Sequence, residues 1–249
     1  DAEFGDVVID VTTFIHGGSA HPVRIADDCT VNSPYEFDVQ AESLIVDGTL
    51  DINDGALMTL YAGTSPGFLE NNADFDLEGE LDVGIGSATI HGEFDLASTG
   101  ELTIDGGSFT GDKSHSTSWN TNISGAFNLS SGLFEITYNH IIFEPSCIDN
   151  ITGGMIRAGY SLIADTPGVF EPSAGIVESI GLSGTNAMFW LVPGNHLHNL
   201  LINRDPSTSV STGSAYLRIM NDLEINSGNL YSPSPYTTIY VGGDWTNNV

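Results

Sequence analysis

Six side chains in the first half of the sequence carry oxygen atoms suited to a hard cation. Calcium takes six to eight oxygens from carboxylates, carboxamides and backbone carbonyls. The segment 51–55 (DINDG) has the composition of a turn that gathers such oxygens, although it does not fit the EF-hand pattern. The sequence therefore predicts bound Ca²⁺, at this turn or along one face of the protein, with these candidate ligands: Asp51, Asn53, Asp54, Glu80, Asp82 and Glu101.

The charge balance favours cations as ligands and argues against several other partners. Five Lys and Arg residues stand against 33 Asp and Glu residues, for a formal net charge of -28. Binding to nucleic acid needs a basic patch, which this composition does not supply, and anionic membrane surfaces repel such a chain. The sequence contains no run of about 18 apolar residues, so it predicts no transmembrane helix. A solvated acidic face with polar turns is the alternative to a metal site, and both interpretations remain open.

These carboxylates belong to a repeated pattern that predicts how they are positioned. Each repeat has a glycine followed by alternating apolar and polar residues, and successive glycines are separated by 31, 21 and 25 residues. A unit of about 21 residues with loop insertions accounts for all three spacings. The repeat glycines are Gly48, Gly79, Gly100 and Gly125.

Stacking of these units predicts an all-β fold, a β-solenoid resembling a parallel β-helix with irregular loops. We expect one interior column formed by Leu50, Leu81, Leu102 and Phe127. Outside it, Glu80 would lie beside Glu101 and Asp51 beside Asp82, about 4.8 Å apart, as like-charged neighbours. An ordinary β-sandwich is the alternative.

Three regions follow from where the repeat is clear. Residues 1–40 are expected to form an N-terminal strand or cap, residues 41–140 the repeats, and residues 141–249 an irregular continuation of the solenoid. In the first region, Val7, Ile9 and Val11 alternate on one face of a predicted strand. This strand either caps the first coil or is donated to a neighbouring subunit, in which case it makes a subunit contact in a filament.

The two cysteines, Cys29 and Cys147, allow two interpretations. They form one disulfide that closes a long loop, or they are two buried free thiols. The spacing alone does not decide between these alternatives. The chain opens at Asp1-Ala2-Glu3-Phe4, as a mature protein would after removal of a signal peptide, so we expect an extracellular or cell-surface location.

The last part of the chain resembles a known group of proteins. Residues 198–203 (HNLLIN), 223–230 (LEINSGNL) and 241–248 (VGGDWTNN) follow one another in this region. This series is similar to the NLxIN, LxIxxGxL and VGGxWxNN repeats of large secreted β-solenoid surface proteins of Bacteroidetes and related bacteria. The resemblance covers roughly the last 55 residues. It implies an extracellular, often surface-attached protein and carries no catalytic residues across.

These observations predict a structural, non-catalytic extracellular protein that self-associates as a filament or surface-layer subunit. A carbohydrate-binding adhesin that contacts surface glycans is the alternative, because Trp119, Trp190 and Trp245 could stack on sugar rings. The apolar segment around Trp190 favours core packing for that residue. A polysaccharide-degrading β-helix enzyme is a more remote alternative, since paired carboxylates suffice for glycoside hydrolysis.

Overall fold

A computed structural model describes residues 2–16, 22–40, 43–62, 65–112, 120–181, 186–232 and 237–249. The chain is a β-solenoid, and the described residues include no helix able to cross a membrane. In chain order its strands are β1 (Ala2–Phe4), β2 (Val7–Ile9), β3 (Thr13–His16), β4 (Val23–Ile25), β5 (Cys29–Val31), β6 (Glu36–Gln40), β7 (Ser43–Val46), β8 (Leu50–Ile52), β9 (Leu57–Thr59), β10 (Tyr61–Ala62), β11 (Ser65–Pro66), β12 (Phe68–Asn71), β13 (Phe75–Leu77), β14 (Glu80–Gly84), β15 (Ser87–Ile90), β16 (Phe94–Leu96), β17 (Glu101–Gly111), β18 (Asn120–Ile123), β19 (Ala126–Ile136), β20 (His140–Phe143), β21 (Ile148–Ile151), β22 (Met155–Ala158), β23 (Leu162–Ala164), β24 (Ile176–Ile180), β25 (Ala187–Leu191), β26 (Asn199–Asn203), β27 (Ser209–Thr212), β28 (Tyr216–Ile219), β29 (Leu223–Ser227), β30 (Asn229–Tyr231), β31 (Thr238–Val241) and β32 (Trp245–Asn247).

Each coil contributes strands to three faces in turn, and the strands of successive coils pair in parallel. The first face contains β1, β4, β7, β12, β15, the second halves of β17 and β19, then β22, β24, β26, β29 and β32. The second face contains β2, β5, β8, β13, β16, β18, β20, β23, β25, β27 and β30. The third face contains β3, β6, β9, β14, the first halves of β17 and β19, and β21, and β28 pairs with β31 later in the chain. An antiparallel hairpin, β10 with β11, interrupts the coil after β9.

Alternation along each strand builds the core, because every second side chain points inward where three faces enclose a narrow interior. Phenylalanine rings from successive coils touch there: centroids are 5.4 Å apart for Phe75 and Phe94, 4.5 Å for Phe94 and Phe109, and 5.5 Å for Phe109 and Phe134. All four rings are buried. Complete burial of such a side chain contributes roughly 2–3 kcal/mol, so a single coil gains little until its neighbours cover it.

The repeat glycines mark corners where coils approach too closely for a side chain. A Cβ on Gly79, Gly100 or Gly125 would lie only 2.4, 2.2 or 2.1 Å from a carbonyl oxygen of the preceding coil. A carbonyl oxygen at such a short distance could move away only by breaking hydrogen bonds between paired strands, so these positions require glycine. The glycine signal in the sequence therefore reports coil-to-coil contact.

The expected interior column is confirmed for three residues and wrong for Leu50. Leu81, Leu102 and Phe127 stack on the third face, and the residue below them is Met58. Leu50 lies on the second face, between Cys29 and Phe75. The 31-residue spacing therefore spans one coil plus the step to another face. The alignment failed there because all three faces use the same apolar–polar–apolar strand.

Candidate functional site

The predicted like-charge pair on the third face is present. Glu80 and Glu101 are direct partners in adjacent parallel strands. Burial, followed by the charge of Glu101, raises the pKa of Glu80 above its usual value. The Glu101 carboxylate accepts a 2.5 Å hydrogen bond from the Asn128 amide of the next coil. Both glutamates therefore lie in paired strands of one continuous parallel sheet.

The predicted neighbourhood of Asp51 and Asp82 is wrong. Asp82 lies on the third face between Thr59 and Thr103. Its carboxylate accepts hydrogen bonds from the Tyr61 hydroxyl at 2.7 Å and from the Gly84 amide at 3.0 Å. Asp51 lies on the second face, next to Leu50 in β8, because the repeat alignment matched strands that belong to different faces. The six candidate ligands are therefore divided between different faces of the solenoid.

The true neighbours of Asp51 form a carboxylate ladder. Asp51 pairs with Asp76, and Asp76 pairs with Asp95, so three consecutive coils present an aspartate at the same outward position of the second face. Burial is the main cause that raises the pKa values of Asp51 and Asp76, and the next carboxylate in the ladder adds to it. Asn122 ends the ladder by donating from its side-chain amide to Asp95 at 2.8 Å.

Sequence reasoning missed Asp76 and Asp95 as neighbours of Asp51, although a signal was present. The tripeptide Phe-Asp-Leu occurs twice, at 75–77 and 94–96, and the segment 50–52 (LDI) has the same pattern. Aligning these three strands would have placed the aspartates in one column. The glycine-based alignment concealed it.

The turn that follows Asp51 makes side-chain hydrogen bonds to the preceding coil. The Asn53 side-chain amide donates to the Asn32 side-chain oxygen at 2.7 Å, and Asn32 donates in the same way to Asp10 at 2.7 Å. Asp54 is exposed in the turn, and Gly55 has a positive φ of 79°. Among the residues that the structure describes, no group of three or more His, Cys, Asp or Glu side chains is arranged to hold a metal ion. Calcium binding stays a prediction.

Many aspartates have a structural task that accounts for part of the acidity. Their carboxylates accept hydrogen bonds from backbone amides at strand starts on the next coil. Asp28 accepts from the Thr49 amide at 2.8 Å, and Asp74 accepts from the Glu93 amide at 2.8 Å. Asp222 does the same for the Asp244 amide at 2.8 Å, and Asp149 accepts from the Glu171 amide at 2.6 Å in the segment between β23 and β24.

A row of alternating charges crosses three coils of the first face. The Arg157 guanidinium donates to Glu178 at 2.6 Å on one side and to Glu135 at 3.3 Å on the other. The side chain of Glu178 is almost completely buried, and its other oxygen accepts a hydrogen bond from the Asn203 side-chain amide at 3.1 Å. The hydrogen bonds to Glu178 and Glu135 raise the pKa of Arg157 above its usual value, and its side chain serves to link adjacent coils.

The cysteines are free, so the disulfide interpretation is wrong for this structure. Cys29 and Cys147 are both buried, and burial raises the pKa of each thiol to about 12. Cys29 belongs to β5, whereas Cys147 follows β20, several coils further along the stack. At about 4.8 Å per coil this separation exceeds the roughly 7 Å limit between the Cα atoms of a disulfide.

The N-terminal residues proposed for a subunit contact lie at the first coil. Val7 and Ile9 point inward from β2, which pairs in parallel with β5 of the same chain, and Ile9 is buried. Val11 follows the strand and is exposed. The other edge of β2 has no strand partner among the described residues. The strands of residues 2–40 join the same three faces as the later strands.

The interpretation of Trp190 as a core residue is wrong. Its side chain points outward from β25 on the second face and is 41 % exposed, while Phe189 and Leu191 on either side are buried. Trp245, in the last strand of the first face, is 58 % exposed. Trp119 lies outside the described residues.

Comparison with protein-family models, with curated proteins and with solved structures finds no match to this chain. The resemblance of its last 55 residues to secreted surface proteins therefore stays a prediction.

Proposed function

We propose that this chain is a non-catalytic structural element of an extracellular surface assembly, in which stacked coils form a stiff rod that extends by end-to-end association. The observation that carries the proposal is the pairing of successive coils strand on strand, which repeats along the chain and can be continued by any further coil. In the described residues, β2 pairs only with β5, and β30 pairs only with β27. The outer edges of these strands present backbone groups that can accept another strand.

Side chains at the two ends support the same proposal. Phe4 and Trp245 occupy inward columns, since Phe4 pairs with the buried Ile25 and Trp245 pairs with the buried Leu223. Yet Phe4 is 51 % exposed and Trp245 is 58 % exposed, because each is covered on one side only. A further coil stacked against either residue, from the same polypeptide or from another copy, would bury it. A heterologous contact of this kind does not close and produces a filament.

The surface supports a structural role over a catalytic one. Glu80 and Glu101 resemble a glycosidase pair only in their spacing, because Glu101 is already hydrogen bonded within the sheet and both lie in a regular face. Elsewhere, carboxylates accept backbone hydrogen bonds or pair with Arg157. These side chains stabilise coil stacking, which is what a rod requires.

Sedimentation velocity over a concentration series, with negative-stain electron microscopy, tests the association. We expect wild-type rods that lengthen with protein concentration, and more readily at higher ionic strength, because salt screens a net charge of -28. Trp245→Lys should stop the lengthening by placing a charge in the end contact. Thr246→Lys is the matched control, since Thr246 is the next residue of the same strand on the outward side. Rods of one length at all concentrations, or equal behaviour of the two variants, would reject the proposal.

A second candidate function is glycan binding by a surface adhesin. The outward position of Trp190 favours it, because an exposed indole on a regular sheet is suited to stacking on a sugar ring. A glycan array tests this second candidate, since a purely structural rod binds no sugar.

A further inference from the structure

The second face changes its chemistry along the solenoid axis. In its first half, β8, β13 and β16 each present an outward aspartate. In its second half, the described strands β20, β23, β25, β27 and β30 contain no Asp, Glu, Lys or Arg. Outward residues there form what we call the neutral patch: Ile142, Ile163, Met188, Trp190, Ser211 and Tyr231.

The neutral patch is a continuous surface. Ile142 pairs with Ile163, and Ile163 pairs with Trp190, so three consecutive coils place apolar side chains in one outward column. The same column holds Asp51 and Asp76 in the first half of the second face. Beside this column, Met188 pairs with Ser211 and Ser211 pairs with Tyr231, which is 56 % exposed.

The Trp190 side chain lies against the backbone of the next coil. A Cβ on Gly213 would be 2.9 Å from Trp190 Cε3 and 2.8 Å from Met188 Sδ, so both side chains lie directly over this glycine. The indole therefore leans along the sheet surface, with neighbours that restrict its motion. A ring held in this way before binding loses little conformational entropy when a ligand stacks on it.

The size of the neutral patch argues against a second copy of the chain as its occupant. Five strands span about four spacings of 4.8 Å, and two outward columns are about 7–10 Å wide, which gives on the order of 200 Å². A stable protein interface buries about 800 Å² on each partner. The patch has the dimensions of a short stretch of a linear polymer.

Charge decides the kind of polymer. A protein with net charge -28 repels uronates, sulfated glycans and nucleic acids, and the patch offers no Lys or Arg to counter this. A neutral sugar chain meets no such penalty, because the apolar C–H surface of each ring packs on an aromatic face while its hydroxyl groups stay in water. At the edge of the patch, the exposed Asn229 adds a hydrogen-bonding side chain next to Tyr231.

We infer that the neutral patch is a binding site for a neutral polysaccharide, with a sugar ring stacked on Trp190 and a later part of the chain on Tyr231. This inference rests on the second candidate function, glycan binding, and assigns its ligand class and its place on the molecule. It is independent of the end-to-end association.

Affinity electrophoresis in gels containing hydroxyethyl cellulose, galactomannan or alginate tests the inference with the whole chain. We expect retardation of the wild type by at least one neutral polymer and none by alginate, the acidic comparison. Trp190→Ala should weaken the retardation at least tenfold, whereas Tyr240→Ala, which removes an exposed aromatic ring of β31 outside the patch, should leave it unchanged. Far-UV circular dichroism and melting curves establish that each variant is folded, and Tyr231→Ala gives a second, milder change within the patch.

Each other result overturns the inference in a distinguishable way. If the wild type binds a neutral polymer but Trp190→Ala and Tyr231→Ala bind it equally well, glycan binding stands and the location is wrong. If no neutral polymer retards the wild type, or if alginate is preferred, the ligand class is wrong and the second candidate function falls with it. If sedimentation shows a dimer that Trp190→Ala dissociates, the patch is an interface between copies.

Discussion

The aspartate ladder of the second face makes an unusual prediction: removal of one carboxylate should stabilise the protein. Asp76 lies between Asp51 and Asp95, and burial, followed by the charge of Asp95, raises its pKa, which means that its charged form is disfavoured in the folded state. Asp76→Asn keeps the shape of the side chain and removes the charge. We therefore expect the variant to have a higher free energy of unfolding than the wild type at pH 7.

The magnitude follows from the strand spacing. Two unit charges about 4.8 Å apart repel by roughly 0.9 kcal/mol at the dielectric constant of water, and physiological salt reduces this to about 0.5 kcal/mol. Asp76 has two such neighbours, so the substitution should stabilise by about 1 kcal/mol. Asp51 has a carboxylate partner on one side and Thr30 on the other, so Asp51→Asn should stabilise by about 0.5 kcal/mol.

Urea denaturation at pH 7, in low and high salt, measures both effects. Asp82→Asn is the matched control, because the Asp82 carboxylate accepts hydrogen bonds from Tyr61 and Gly84 and lies between two threonines. This same chemical change should destabilise by about 1 kcal/mol. High salt should shrink the gain for Asp76→Asn. A loss of stability in Asp76→Asn similar to that in Asp82→Asn would refute the reasoning.

The pH dependence provides a second measurement with a definite sign. A raised pKa means that the folded state binds more protons than the unfolded state near that pKa, so stability falls as pH rises through it. For Asp51 and Asp76, whose ordinary pKa is 3.8, the ladder should contribute stability that is gained as pH drops from 7 toward that value. Asp76→Asn should flatten this part of the curve relative to the wild type.

The same variant also tests the predicted Ca²⁺. If calcium ions relieve the ladder, EDTA should lower the melting temperature of the wild type, and Asp76→Asn should be less stable than the wild type only when calcium is present. A melting curve that EDTA does not shift rejects the metal site.

Three further predictions concern the interior of the solenoid and the ion pair between Arg157 and the buried Glu178. Arg157→Leu removes the positive charge beside the buried Glu178, which keeps only the neutral Asn203 amide as a side-chain donor, and should cost about 2 kcal/mol in urea denaturation, most of which the double variant with Glu178→Gln should restore. Cys29 and Cys147 should not react with a thiol reagent at pH 8 until urea unfolds the chain, because both are buried with thiol pKa values of about 12; fast reaction in the native state would contradict this. Gly132→Ala should destabilise by several kcal/mol, as a Cβ would lie 2.2 Å from a carbonyl oxygen of the preceding coil at a φ of +90°, and an unchanged melting temperature would argue against that contact.

Part of the candidate site could be predicted from local pattern. Glu80 beside Glu101 followed from two repeats that are 21 residues apart with no insertion between them. Asp51 beside Asp82 failed because an apolar–polar–apolar tripeptide does not reveal which of three faces it belongs to. Trp190 failed for a related reason: a run of four apolar residues does not reveal that one of them points outward.

The sequence alone determined the all-β solenoid, the coil length of about 21 residues and the acidic surface, because alternation, corner glycines and charge are local properties that each coil repeats. Only the tertiary structure decided which coils and faces adjoin. That choice depends on the total length of every insertion and on close packing between distant segments. It therefore created the Asp51–Asp76–Asp95 ladder, separated Cys29 from Cys147, and left Trp190 on an uncharged surface.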